Sequence, residues 1–182
     1  MSPTYDRSVP VNDDKLRQAR FGALCETLRP DLVRFAFWLA RDRALAEDVV
    51  QEALLRAWRS FDALEDEGKA KQWMLTIVRR EHARVWERKR LEVQDLDALV
   101  RAEADVLAAP EDAAVGEMRE ALFRLEDDYR EPLVLQVMMG YTTGEIAAHM
   151  GLTQGAVLTR LFRARQKLRK ALGGPDTTEE EQ

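Results

Sequence analysis

The stretch YTTGEIAAHMGLTQGAVLTRLFRARQKLRKAL, residues 141–172, decides how the C-terminal half of this chain folds. Thr142 precedes a short apolar repeat and Glu145 follows three residues later, which is the spacing of a capping box at a helix start. Gly151 comes directly after the repeat, where a residue in the left-handed conformation ends a helix. Thr153 then provides a second N-cap. The stretch therefore predicts two helices joined by a tight turn.

The second of these helices combines an apolar stripe with a strong positive charge. Its predicted buried face recurs at three- and four-residue steps and consists of Val157, Leu161, Ala164 and Leu168. Residues 152–172 contain no acidic side chain, and their basic ones are Arg160, Arg163, Arg165, Lys167, Arg169 and Lys170. A lone basic helix is more often a solvated surface, but a capped turn before it is typical of the DNA-binding helix-turn-helix.

Composition favours an all-helical fold for the 182 residues, of which 46% are hydrophobic and 34% charged. Glycine, proline and β-branched residues are sparse, and no segment alternates strictly between polar and apolar side chains, so no strand is predicted. We find no leader segment and no apolar run of roughly twenty residues, and therefore expect a cytoplasmic protein. The single cysteine, Cys25, excludes an internal disulfide and a cysteine-based zinc site.

The net charge of -5 conceals a segregation of charges along the chain. A second basic block, interrupted only by Glu81 and Glu87, consists of Arg79, Arg80, Arg84, Arg88, Lys89 and Arg90. Acidic side chains far outnumber basic ones over residues 92–131, between this block and the basic helix. Two basic surfaces with an acidic connection predict two nucleic-acid contacts made by two domains.

Helical periodicity divides the chain into two small bundles. The first, residues 13–90, is predicted to contain four helices, and Pro30 is expected to separate the first two. The second, residues 111–172, ends in the helix-turn-helix. Its first two helices are predicted to bury Val115, Met118, Leu122, Leu133 and Val137. The remaining segments are expected to be a disordered N-terminus, a flexible acidic linker and a disordered acidic tail, at residues 1–12, 91–110 and 173–182.

Three segments resemble the extracytoplasmic-function (ECF) sigma factors of bacterial RNA polymerase, group 4 of the sigma-70 family. They are AEDVVQEALLRAW at 46–58, KQWMLTIVRREHAR at 71–84 and GYTTGEIAAHMGLTQGAVLTRLFRARQKL at 140–168. The resemblance implies that the two bundles are sigma domain two and sigma domain four. It also implies that the chain binds core RNA polymerase and promoter DNA, that an anti-sigma factor holds it inactive, and that it needs no cofactor.

The resemblance further implies that the helix at about 44–59 docks on the clamp of the largest polymerase subunit. The positions that match are Asp48, Gln51, Glu52 and Arg56. On spacing alone, these side chains would form an ordinary solvated helix face with charges four residues apart.

Domain two is implied to hold the melted non-template strand of the minus-10 element, with the loop at about 62–71 forming a pocket for a flipped base. The cations and the aromatic side chain suited to this task are Lys69, Lys71, Arg79, Arg80, Arg84, Trp86 and Arg88. Trp73 lies at a core-period position and is predicted to pack. The family commonly has Asn at the position of Arg80 and Asp at that of Arg84, so the sequence departs from the common pattern here and the resemblance does not fix the base preference of the minus-10 contact.

Domain four is implied to place its second helix in the major groove of the minus-35 element. The matching positions are Thr153, Gln154, Thr159, Arg160 and Arg163, of which Arg163 is the first candidate for a base or phosphate contact. Arg165 and Lys167 are predicted to contact phosphates. Many family members have Lys at the position of Leu158. A methyl-bearing side chain there would either meet a thymine methyl group or extend the apolar stripe.

Catalysis finds no support in the sequence. His82 and His149 are the only histidines, and neither lies near a nucleophile or a metal-ligand cluster in the sequence, so no catalytic residue, metal or enzyme activity is predicted. Two other functions remain open. One is a helix-turn-helix regulator that binds duplex DNA without polymerase, and the other is a mimic that sequesters an anti-sigma factor.

Overall fold

The computed structural model describes residues 11–93 and 113–173, and this part of the chain is built from α-helices without strands. The helices are α1 (Val11–Ala40), α2 (Arg43–Arg59), α3 (Ala70–Val93), α4 (Ala113–Arg124), α5 (Asp127–Val137), α6 (Thr143–Met150) and α7 (Gln154–Ala171). Two 3-10 turns, Phe61–Ala63 and Glu67–Lys69, connect α2 to α3. The predicted all-helical class is confirmed. The segments expected to be disordered or flexible fall mostly at residues 1–10, 94–112 and 174–182, outside the described residues.

None of the described helices has the length and apolar character needed to cross a membrane. Helices α1 to α3 form the first bundle, and α4 to α7 form the second. The bounds of the first bundle extend slightly beyond the predicted 13–90, because α1 begins at Val11 and α3 ends at Val93.

The predicted break at Pro30 is wrong, because α1 runs through this residue without interruption. A proline inside a helix removes one backbone donor and crowds the carbonyl four residues earlier, at a cost of about 3 kcal/mol. The turn after Pro30 buries Leu32 and Phe35 completely, and Leu28 before it packs against the same core. Burying side chains of this size contributes about 1.5 to 3 kcal/mol each, which outweighs the proline penalty.

Three predicted core residues of the second bundle are exposed instead. Val115 and Met118 on α4 are 53% and 42% exposed, and Val137 at the end of α5 is 69% exposed. Helix α4 buries only its C-terminal half, through Ala121 and Leu122. The prediction of buried residues along α4 is therefore correct for its last turns and wrong for its first.

The capped turn between α6 and α7 forms as predicted. The Thr142 hydroxyl accepts from the Glu145 N–H at 3.3 Å, and the Glu145 carboxylate accepts from the Thr142 N–H at 2.8 Å. Gly151 has φ 67°, and the Thr153 hydroxyl accepts from the Ala156 N–H at 3.2 Å. The predicted stripe of α7 is buried, with Leu168 partly so.

The two bundles pack against each other and share a continuous hydrophobic core. Phe123, at the end of α4, lies with its ring centroid 5.5 Å from that of Phe37 and 5.0 Å from that of Trp38, both at the end of α1. Aromatic pairs at these separations and tilts contribute beyond their buried area. Sequence reasoning treated the bundles separately and missed this contact.

Arg130 on α5 is the largest fully buried side chain of the described residues, with 1% of its surface exposed. Its guanidinium donates to the carbonyls of Trp38 at 2.8 Å and Leu39 at 3.3 Å in the last turn of α1. The same group donates to the Leu125 carbonyl at 2.8 Å and to the Asp127 carboxylate at 2.6 Å. Burial lowers the pKa of Arg130, and the adjacent Asp127 opposes that shift.

A polar strip along α3 completes the contact between the bundles. Arg79 donates to the Glu131 carboxylate of α5. Nearer the start of α3, the Gln72 amide donates to the Glu145 carboxylate at 2.5 Å. The Thr76 hydroxyl lies 3.2 Å from His149 Nδ1. These contacts connect α3 to both α5 and α6.

Gly151 is required for the turn between α6 and α7, because a side chain at φ 67° is strained even though nothing lies within 4 Å of an added Cβ. We expect Gly151→Ala to lower the free energy of unfolding by about 1 to 2 kcal/mol. Gly116→Ala is the matched control, since Gly116 lies inside α4 with equal space around it. This control should stabilise the protein by about 0.5 to 1 kcal/mol. Urea denaturation measures both, and equal effects of the two changes would contradict the role of Gly151.

His149 is expected to make the stability of the protein depend on pH. Burial, followed by the positive charges of Arg79 and Arg80, lowers its pKa from 6.5 to about 4. Since the unfolded state binds the proton more readily, this stabilisation is complete above pH 6.5 and is lost as the pH falls toward 4. Between pH 7 and pH 5, we expect His149 to reduce the free energy of unfolding by about 1 to 2 kcal/mol.

The measurement is urea denaturation of the wild type and of His149→Gln at both pH values. The variant should lose the share of the pH dependence that belongs to His149. Burial raises the pKa of Glu131, which contributes with the opposite sign in both proteins. The difference between the two proteins therefore reports mainly on the histidine, and identical pH profiles would rule out its titration as a source of instability.

Candidate nucleic-acid and protein interfaces

The side of α7 that faces away from the core is an exposed surface of mixed chemistry. Gln154, Thr159 and Arg163 lie on it, and no ion pair joins Arg163 to another described residue. Leu158 and Phe162 are 56% and 60% exposed, so Leu158 does not extend the buried stripe. Donors, hydroxyls and apolar groups on one helix of this size match what a major groove can accommodate.

The other cations predicted for the minus-35 contact lie at the edges of this surface and have protein partners. Arg160 pairs with Asp128 at 3.0 Å, and Lys167 pairs with Glu126 at 3.0 Å. Arg165 donates to the Gln136 side chain at 2.5 Å. Exposed pairs of this kind contribute about 0 to 1 kcal/mol, so a phosphate can replace the carboxylate at little cost.

Helix α2 presents a second exposed face, on the side opposite its buried residues. Asp48, Gln51 and Glu52, three of the residues predicted to contact polymerase, are exposed there. Leu55 lies in the same row and is 50% exposed. This exposed apolar side chain among charged ones gives the face one group suited to contact with another protein.

Arg56 differs from the other three residues of this face because it binds α3. It pairs with Glu81 at 2.5 Å, and Arg84 pairs with the same carboxylate at 2.9 Å. The Glu81 side chain is only 6% exposed. Sequence reasoning missed this residue, although it is one of only two carboxylates inside a basic block, which was the available signal. Glu81 holds one arginine of the predicted polymerase contact and one of the predicted minus-10 contact.

The seven residues predicted for the minus-10 contact do not form one surface. Arg80, Arg84 and Arg88 follow one another at four-residue steps along the solvent-exposed side of α3. Arg79 faces the second bundle through Glu131, and Trp86, 53% exposed, stands next to His82 with ring centroids 6.4 Å apart.

The two lysines of this set lie at the start of α3 and are paired with carboxylates. Lys69 lies 3.8 Å from Asp66, and Lys71 lies 2.7 Å from Asp31. Trp73 is partly buried against the core, which confirms the prediction that it packs. Arg80 and Arg88 are exposed without an ion pair to another described residue, so they are the cations of this set most readily available to a nucleic-acid strand.

A cavity of about 380 Å³ lies where the loop before α3 meets α6. Leu64, Lys69 and Trp73 line one side, and Tyr141 and His149 line the other. The Tyr141 hydroxyl and His149 Nε2 are buried without a hydrogen-bond partner among the described residues. Burial raises the pKa of Tyr141. The loop predicted to hold a flipped base thus borders an open cavity whose opposite wall belongs to the second bundle.

Within residues 11–93 and 113–173, no group of three or more His, Cys, Asp or Glu side chains is arranged to hold a metal ion. His82 and His149, taken from the sequence as unremarkable, are both buried where the bundles meet. Burial lowers the pKa of His82 to about 4 as well. Both rings serve the packing of the bundles, which no local sequence pattern indicated.

Comparison with known proteins gives the same division of the chain. The family model described as Sigma-70 region 2 matches residues 24–92, and the one described as Sigma-70, region 4 matches residues 116–168. The ECF RNA polymerase sigma factor EcfG of Rhodopseudomonas palustris is 32% identical over 160 residues, which cover 82% of this chain and 87% of that protein. SigL of Mycobacterium tuberculosis, also an ECF sigma factor, is 32% identical over 78% of this chain and 82% of its own length.

Among solved structures, the sigma factor RpoE from Bartonella quintana, crystallised with the anti-sigma factor NepR, superposes with a TM-score of 0.77. It is 30% identical in sequence, and the match covers 85% of this chain and 97% of RpoE. The two family models, the similar proteins and the superposed structure agree with one another. The chain belongs to the extracytoplasmic-function sigma factors of bacterial RNA polymerase.

Proposed function

We propose that this sigma factor reads the minus-35 element with α7 and the minus-10 strand with the arginine row of α3, while the exposed face of α2 docks on the clamp of the largest polymerase subunit. The observation that carries the proposal is the outer face of α7, where Arg163 is exposed behind a capped turn. Arg160, Arg165 and Lys167 at the edges of that face would exchange their protein partners for phosphates.

The two promoter contacts require the bundles to separate. Elements numbered minus-35 and minus-10 are about 25 base pairs apart, or about 85 Å along the duplex at 3.4 Å per base pair. In the packed arrangement, Gln72 on α3 and Glu145 on α6 are in hydrogen-bond contact. The chain between Val93 and Ala113 can span at most about 70 Å, and α3 itself is about 36 Å long, so the linker and the bundles together can cover this distance.

We also propose that an anti-sigma factor binds this chain, because the similar RpoE was crystallised with one. The sigma factor would act by binding alone, without enzymatic activity, and in the cytoplasm, where bacterial RNA polymerase works. Arg79, which pairs with Glu131, would join the minus-10 contact only once the second bundle has moved away from α3. Lys69 and Lys71 would instead leave carboxylates of the first bundle, and Trp86 is already half exposed.

The polymerase contact can be tested by run-off transcription with purified core polymerase and a mixed promoter library. We expect the double variant Asp48→Arg, Gln51→Ala to reduce transcripts at least tenfold, because it reverses charge at the centre of the α2 face. Glu26→Arg, on an exposed position of α1, is the control and should transcribe normally. Absence of transcripts from the wild type, together with tight binding of the free protein to duplex DNA, would instead favour a polymerase-independent regulator.

Arg163 is expected to determine sequence preference at the minus-35 element. An arginine that donates two hydrogen bonds to guanine discriminates by about 1 to 3 kcal/mol, so Arg163→Ala should weaken holoenzyme binding and relax selectivity at one base position. Lys170→Ala, an exposed cation farther along α7, should weaken binding about equally for all sequences. Competition binding over a library of minus-35 variants measures both, and an unchanged selectivity profile for Arg163→Ala would exclude a base contact.

A further inference from the structure

Helix α1 lacks a basic residue in its last turn, although its terminal carbonyls and its dipole favour a positive charge there. The Phe37 carbonyl accepts from the N–H of Arg41, which takes the left-handed conformation at φ 60°. The next two carbonyls, those of Trp38 and Leu39, accept from the guanidinium of Arg130 in the other bundle. The C-terminal cap of α1 is therefore supplied from across the interface.

We propose that Arg130 is a latch that keeps the free sigma factor closed, and that the closed form withholds part of α3 from promoter DNA until the bundles separate. The second half of this inference rests on the proposed function of α3. The first half concerns only the equilibrium between packed and separated bundles, and it can be tested without polymerase.

The geometry explains why such a latch would be reversible. In the closed form, the Arg130 guanidinium loses its bound water and donates to four acceptors, two of them in the first bundle. On separation, water replaces the carbonyls of Trp38 and Leu39 at the guanidinium. A hydrogen bond to a charged group contributes only modestly when it replaces one to water, and burying the charge has a cost of its own. The closed form therefore has a limited advantage, which docking on polymerase can overcome.

The closed form covers one contact surface and leaves two open. Gln72, Thr76 and Arg79 on α3 are held by side chains of the second bundle. The α2 face with Asp48 and Gln51 remains exposed, as does Arg163 on α7. A closed sigma factor can thus meet polymerase first and gain its full contact with the melted strand only after opening.

The test measures the distance between the bundles in the full chain by pulsed electron paramagnetic resonance. Spin labels are placed at Glu26→Cys in α1 and Gln166→Cys in α7, both exposed positions, with Cys25→Ser removing the native thiol. We expect the wild type to give mainly a short, narrow distance distribution. Arg130→Gln should raise the ratio of open to closed molecules by about tenfold or more, because it removes the charged guanidinium that donates to the carbonyls of Trp38 and Leu39.

Arg124→Gln is the matched control, since Arg124 also lies in the second bundle but pairs only with Glu120 on the surface of α4. It should leave the distance distribution unchanged. Arg130 also contacts its own bundle, so Arg41→Gln provides a second test that leaves the second bundle intact. Arg41 donates from the first bundle to the Leu125 carbonyl at 3.2 Å and to Asp127 at 3.3 Å. This variant should shift the equilibrium in the same direction, by a smaller factor.

An unchanged distance distribution in Arg41→Gln, and in Arg130→Gln with its helical content retained, would overturn the latch. Run-off transcription on the same proteins separates this inference from the proposed function. If the distances lengthen while the wild type supports no transcription, the latch stands and the proposed function fails. If the wild type transcribes and the distances do not change, the proposed function stands and the latch fails.

Discussion

A guanidinium ion can be buried only where its N–H groups find acceptors, and Arg130 meets that condition only when both bundles are in contact. Its guanidinium donates to the carbonyls of Trp38 and Leu39 in the first bundle. In its own bundle it donates to the Leu125 carbonyl and the Asp127 carboxylate. The ends of α1 and α4 and the beginning of α5 all meet at this one side chain. The position of the second bundle, and with it the cavity at the start of α3, follows from that arrangement.

Helices and their caps could be predicted from the sequence wherever the deciding forces are local. The capping box at Thr142, the turn at Gly151 and the stripe of α7 depend on residues within a few positions of each other. The continuity of α1 through Pro30 could not be predicted in the same way, because distant packing against α2 and α3 outweighs a local penalty. Exposure of Val137 likewise depends on which helices come to lie beside it.

The candidate interfaces were predictable to a similar degree. Exposed side chains on one helix, such as those of α2 and α7, follow from helical periodicity and the family resemblance. The separation of Arg79 from the arginine row of α3 does not, because it depends on Glu131 of the other bundle. Glu81, which holds Arg56 and Arg84 together, is visible in the sequence only as an exception within a basic block. Contacts between bundles require the tertiary structure.

The pairs that Arg160 and Lys167 make with Asp128 and Glu126 have a consequence for how ionic strength affects this protein. A free cation that meets a phosphate releases a counterion from DNA, and affinity then falls steeply as salt rises. A cation that must first leave a carboxylate behaves differently, because the vacated carboxylate attracts a cation from solution. Part of the counterion release from DNA is thereby cancelled by counterion uptake at the carboxylate. Promoter binding through the edges of α7 should consequently vary less with intracellular salt than the number of its basic residues suggests.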